Sequence, residues 1–145
     1  MFNARAESLA EKASFKGPFR AKRAIVPALG FYEWQREDNG KTPHYIQLEG
    51  EQPMGFAGLY DLWNDEVLSF TIITTTPNEL MKHIHDRMPV ILSPEDYDRW
   101  LDPSLTHAKE VEDLLKPYHG KMNATVVISA VNSPKNNSPD LIAAA

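Results

Sequence analysis

The chain has 145 residues, 42% hydrophobic and 24% charged, with a formal net charge of −5 and no cysteine. That length suits one domain, and the composition excludes a wholly disordered or fibrous chain. The missing cysteine excludes disulfides, thiolate metal sites and a cysteine nucleophile drawn from these residues. No stretch approaches the roughly 20 apolar residues of a membrane span, and the N-terminus has no apolar signal-peptide core, so no membrane association and a cytoplasmic location are expected.

The charge is uneven. Residues 1–23 carry six basic side chains against two acidic ones, and the rest of the chain carries nine against eighteen. A basic end on an acidic body is a footprint for a polyanion, or else a solvated helix face.

In chain order, Ala6 to Phe15 reads as a short helix ended by Gly17-Pro18. Arg23 to Pro27 reads as a strand, as does the aromatic-rich Phe31 to Gln35. An Asn39-Gly40 turn leads to a returning strand, Pro43 to Leu48. Met54 to Trp63 and Val67 to Thr75 form a second strand pair around the polar turn Asn64-Asp65-Glu66. Thr76-Pro77-Asn78-Glu79 has the cap-then-proline pattern of a helix start, running toward His83. A short strand is expected over Arg87 to Leu92, a helix from Ser93-Pro94 to Leu101, and an amphipathic helix over His107 to Leu115. Asn123 to Val131 is the last strand, and 132–145 is an extended surface tail. Adjacent hairpins with short helices beside them predict an α+β fold, its sheet largely antiparallel and curled or barrel-like, in a single domain spanning 1–145.

Three groups of residues have chemical potential. Glu33 lies among Phe31, Tyr32 and Trp34, and a carboxylate held among aromatic rings is a candidate proton donor and acceptor. Strand alternation puts Glu33 with Phe31 and Gln35 on one face and Tyr32, Trp34 and Arg36 on the other, without saying which is wet. His83, His85 and Asp86 suggest a metal, but histidines two apart share a face only on a strand and no third ligand is at hand. His85 as a general acid or base beside Arg87 is the better reading, and no metal and no cofactor are expected. Asn3 and Arg5 form the third group, the amide suited to a carbonyl or oxyanion and the guanidinium to a phosphate. Trp34 and Trp63 are possible stacking platforms, although tryptophan in a small domain is more often core.

Several ordered segments carry a resemblance: Asn3-Ala-Arg-Ala-Glu7, Ile25-Val-Pro-Ala-Leu-Gly-Phe-Tyr-Glu-Trp34, Phe56-Ala-Gly-Leu-Tyr60, Phe70-Thr-Ile-Ile-Thr-Thr-Thr76 and Ile84-His-Asp-Arg-Met-Pro-Val-Ile-Leu92. Together, from Asn3 to about Asn132, the sequence resembles the SOS response-associated peptidase (SRAP) family of abasic-site processing proteins. The resemblance implies a protein that senses abasic sites in single-stranded DNA and forms a covalent DNA-protein crosslink in the DNA damage response. It also implies an autoproteolytic peptidase activity. Asn3, Glu33 and His85 match the family's catalytic positions. Arg5 and Arg87 match arginines that hold phosphates, and Trp34 matches an aromatic near the DNA.

One departure follows. Family members begin Met-Cys-Gly-Arg-Phe, and the cysteine supplies the amine and thiol of the link. A long N-terminal region then precedes the Asn-Ala-Arg-Ala-Glu motif, and it is absent here. The expectation is an N-terminally incomplete domain, inactive as this chain alone, with the cysteine on a separate or missing N-terminal segment. A non-catalytic remnant of the same fold that binds single-stranded DNA is the alternative.

Overall fold

The computed structural model describes residues 2–37 and 40–127. Among these residues, nine strands form two sheets. The first contains β1 (Phe2–Arg5), β2 (Arg23–Ala28), β5 (Met54–Trp63) and β6 (Val67–Thr75) in the order β1-β6-β5-β2, with β7 (Met88–Pro89) on β6 and β8 (Ile91–Leu92) on β5. The second is β3 (Phe31–Glu37), β4 (Gly40–Leu48) and β9 (Met122–Val126), in the order β3-β4-β9. All pairings are antiparallel except β1 with β6. The sheets are open rather than closed into a barrel, and the mixed α+β class is as expected.

Alternation along β5 gives the first sheet two buried faces. Ala57 and Leu59 join Ile73, Val90 and Trp100 in one core, against helices α1 (Ala13–Ala21) and α2 (Tyr97–Leu101). Met54 and Phe56 point the other way, into a second core with Ile46, Met81 and Met88 that fills the space toward the β3–β4 hairpin. Where β5 and β6 part, the 88–92 segment fills the fork. The Ala57 amide donates to the Val90 carbonyl (2.9 Å) and the Val90 amide to the Ile73 carbonyl (2.8 Å).

The two central hairpin strands end where the sequence predicts. Asn64 and Asp65 both take positive φ (53° and 56°), conformations that these two residue types tolerate in a tight turn. Four segments differ from the expectation. First, β1 pairs in parallel with β6 (Asn3 opposite Ile72), where no element was expected. Second, the helix expected over 6–15 is a 3₁₀ turn at Ala6–Ser8 followed by α1, which contains Gly17 and Pro18 instead of ending at them. Burial of Phe19, 3% exposed and 6.3 Å from the Trp100 ring, outweighs the hydrogen bond Pro18 cannot make.

Third, the helix expected from Thr76 is a 3₁₀ turn over Met81–His83, held by Asn78, whose Oδ1 accepts the Met81 amide at 2.9 Å. Fourth, the helix expected over 107–115 is two 3₁₀ turns, Ala108–Glu110 and Glu112–Leu114. Val111 and Leu114 are both buried at a spacing of three, and that period lines them up on a 3₁₀ stripe. The end of the last expected strand, 128–131, and the tail lie outside the described residues. No helix among the described residues is long and apolar enough to cross a membrane.

Candidate active-site cleft

The structure settles the faces of β3. Phe31 meets Phe56 edge-on, ring centres 5.8 Å apart at 75°, so Phe31, Glu33 and Gln35 form the inner face. The 82–86 loop lies against the far half of that face. Gln35 Nε2 donates to the His83 carbonyl at 2.7 Å, and Glu33 Oε1 lies 3.8 Å from His85 Nε2. Glu33 is 23% exposed and His85 40%, both on the wall of a cleft of about 700 Å³. Trp34, Arg36, Lys41 and Lys82 line the same cleft.

The Arg87 backbone orients the His85 ring. Its amide and its carbonyl each lie 3.2 Å from His85 Nδ1. One is a donor and the other an acceptor, so the same loop holds either imidazole tautomer. When Nδ1 accepts from the amide, Nε2 carries its proton toward Glu33. When Nδ1 donates to the carbonyl, Nε2 is bare. A ring that can swap tautomers without moving is suited to passing a proton. Glu33 Oε1 also accepts from the Trp34 amide at 3.3 Å, which steadies the carboxylate.

The remaining predicted residues lie elsewhere. Asn3 and Arg5 are exposed on one face of β1, and Asn3 lines a different hollow of about 330 Å³ beside Phe15 and Tyr60. Arg87 follows His85 closely in the chain, but its guanidinium faces away from the cleft. It donates to the Thr74 carbonyl at 2.8 Å and pairs with Glu7 at 3.0 Å, tying β6 to the segment after β1. Among the described residues, no three histidine, aspartate or glutamate side chains converge on a point where a metal could sit.

Sequence reasoning did not single out His44. It is buried directly opposite Glu33 in the β3–β4 register, and its Nδ1 lies 3.0 Å from the Thr42 carbonyl. The register, in which Glu37 faces Gly40, sets this pairing and also places Arg36 opposite Lys41; a turn centred on Asn39-Gly40 would have set Ile46 opposite Glu33 instead. On the outer face, burial, with the Tyr32 phenol and Glu51 nearby, pushes the Tyr45 phenol up from its ordinary value.

A two-core fold with a carboxylate–imidazole pair in an open, cation-lined cleft defines the class, and the chain belongs to the SOS response associated peptidase (SRAP) family, whose model matches residues 1–134. It is 52% identical to the abasic site processing protein YoqW of Bacillus subtilis (strain 168), over 98% of this chain and 66% of YoqW. To the abasic site processing protein HMCES of Xenopus tropicalis it is 36% identical, over 98% of this chain and 49% of that protein. A crystal structure of a protein from Bacteroides thetaiotaomicron matches with a TM-score of 0.87 at 38% identity, covering 99% of this chain and 65% of the other. The chain thus spans about half to two thirds of the length of these relatives.

Proposed function

We propose that this chain is the larger part of an abasic-site processing protein that senses abasic sites in single-stranded DNA and forms a covalent DNA-protein crosslink in the DNA damage (SOS) response. The observation that carries this reading is the pairing of Glu33 and His85, 3.8 Å apart on the wall of a cleft lined by cations. An abasic sugar reacts as its ring-opened aldehyde. Opening takes a proton from the C1′ hydroxyl and delivers one to the ring oxygen. A carboxylate and an imidazole at this separation can divide those two transfers. Condensation of the aldehyde with an amine then releases water, a step that again needs a proton donor.

Asn3, Arg5, Trp34 and Arg87 complete the DNA-facing set in this reading, with the arginines at phosphates; Asn3, which lines a separate hollow, reaches the sugar only if the strand runs from that hollow to the cleft. Arg87 would first have to give up Glu7. The resemblance implies a cysteine that supplies both amine and thiol, and the 145 residues hold none, so in this reading a segment outside them supplies it. The second reading, a module that binds single-stranded DNA without chemistry, draws on the same fact, because the cations at the cleft need no nucleophile.

A denaturing gel tests the proposal, with abasic single-stranded DNA incubated with the chain and with a version extended by the segment encoded upstream of it. A denaturation-resistant adduct from the extended protein is expected. Glu33→Gln and His85→Ala should slow it about 10²-fold while DNA affinity is kept. Salt-sensitive binding with no adduct from either protein favours the second reading. Equal loss of binding and crosslinking would make both side chains structural.

A further inference from the structure

The outer face of the β3–β4 hairpin is absorbed neither by the core nor by the Glu33–His85 pair. Tyr45 and Tyr32 have ring centres 5.0 Å apart, and Tyr32 and Trp34 lie 6.4 Å apart. The row is fixed at one end, because Tyr45 lies so close over Gly30 that a Cβ there would fall 2.4 Å from its ring. Tyr32, at 37% exposed, presents its ring to water. The same face continues to Arg36 and Lys41, directly opposite each other in the register and both exposed. Like charges in that position destabilise a ladder. Among the described residues, no ion pair engages either of them. From Tyr32 to Arg36 the strip runs ~13 Å, four residues at the strand rise.

We propose that this strip binds the single-stranded DNA that flanks the abasic site. Bases stack on Tyr32 and Trp34, and Arg36 and Lys41 clamp a backbone phosphate beside the cleft. The proposal rests on the reading above and deepens it by naming the surface that holds the strand. Aromatic rings followed by cations that no described residue pairs with match the alternation of base and phosphate in a single strand. A duplex keeps its base faces stacked inside, and an apolar protein partner would gain nothing from two adjacent like charges. On a chain of net charge −5, a local basic clamp also directs a polyanion to this face.

Fluorescence anisotropy with a labelled single-stranded oligonucleotide containing one abasic site, titrated over a range of salt concentrations, tests the strip. Arg36→Gln with Lys41→Gln should weaken binding and reduce the slope of log affinity against log salt by about 0.7, the value for one phosphate of a single strand. Tyr32→Ala should weaken binding about tenfold with the slope unchanged. Tyr32→Leu, which keeps an apolar side chain, should do the same if the alanine variant melts early. Lys16→Gln with Arg20→Gln, on the exposed face of α1, should leave the slope unchanged. The strip is overturned if the hairpin variants bind as the unsubstituted protein does, or if the α1 pair carries the salt dependence. In those cases, an adduct formed by the extended protein leaves the proposed function standing. If neither this chain nor the extended protein binds the oligonucleotide, both readings fall.

Discussion

Two regions of this molecule treat their cations in opposite ways. On the side of the first core, Arg23 is buried and spends its guanidinium on carbonyls. It donates to Trp100 (2.6 Å), Phe19 (2.9 Å) and Asp102 (2.8 Å), and stands 5.5 Å over the Trp100 ring. Those carbonyls sit at the C-terminal ends of α1 and α2, where helix dipoles leave partial negative charge. One side chain therefore caps two helices and fixes both to β2. Burial lowers the Arg23 pKa, and the charges of Asp102 and Glu110 oppose the shift. On the hairpin side, Arg36 and Lys41 are exposed at the cleft and in no ion pair among the described residues, while Lys82 across from them pairs with Glu79. The first region uses charge to satisfy orphan backbone groups, and the second keeps two adjacent like charges that no ion pair among the described residues engages.

The sharpest way to break this contrast is Arg23→Met. The substitution keeps bulk but leaves several carbonyls without a donor, and should cost about 3 kcal/mol of stability. Urea unfolding followed by the fluorescence of the three tryptophans would measure it. A loss comparable to that of an exposed arginine would mean that water reaches those carbonyls and that the region is not pinned as described.

A smaller effect is expected across the cleft. Gln35→Ala removes the bond to the His83 carbonyl that holds the 82–86 loop against β3. About 1 kcal/mol of stability should go with it. Crosslinking by the extended protein should fall about tenfold, because His85 loses its set distance from Glu33. A fall in the thermal midpoint with crosslinking unchanged would show that the loop needs no such tie to position the imidazole.

How much of this was legible in the sequence depends on the range of the forces involved. The β5–β6 hairpin could be read because its turn and its alternation are local. The membership of Glu33 in the Phe31 and Gln35 face was equally local. Which side of that face is buried was not, because it depends on Phe56, a residue twenty-five positions away. The helix that passes through Gly17-Pro18 was hidden for the same reason, since its stabiliser is Trp100. The orientation of Arg87 was hidden by Glu7 and Thr74, both distant in sequence. Residues 108–114 show the opposite limit. The spacing of Val111 and Leu114 fits an α-helix and a 3₁₀ stripe equally well, and only the packing decided between them.

The smallest expected effect concerns acid stability on the first side. Arg99 donates to both carboxylate oxygens of Asp113 and to the Glu110 carbonyl (2.8 Å), closing α2 over the 108–114 turns. Hydrogen bonding from Arg99 holds the Asp113 carboxyl below its ordinary value of 3.8, and the Arg99 pKa is raised in return. A carboxyl whose folded value is depressed contributes stability above its unfolded value and loses it as the pH falls through the folded one. Asp61 and Asp102 are depressed in the same way, by Lys22 and by Ser104. The thermal midpoint should therefore be flat near neutrality and drop as the pH falls past about 4, where unfolded aspartates begin to bind protons. Asp113→Asn should lower the midpoint slightly at pH 7 and make the acid drop shallower. The pair is exposed, so salt should erase most of the difference at neutral pH. An unchanged acid slope in Asp113→Asn would mean that the Arg99 clamp holds through the Glu110 carbonyl alone.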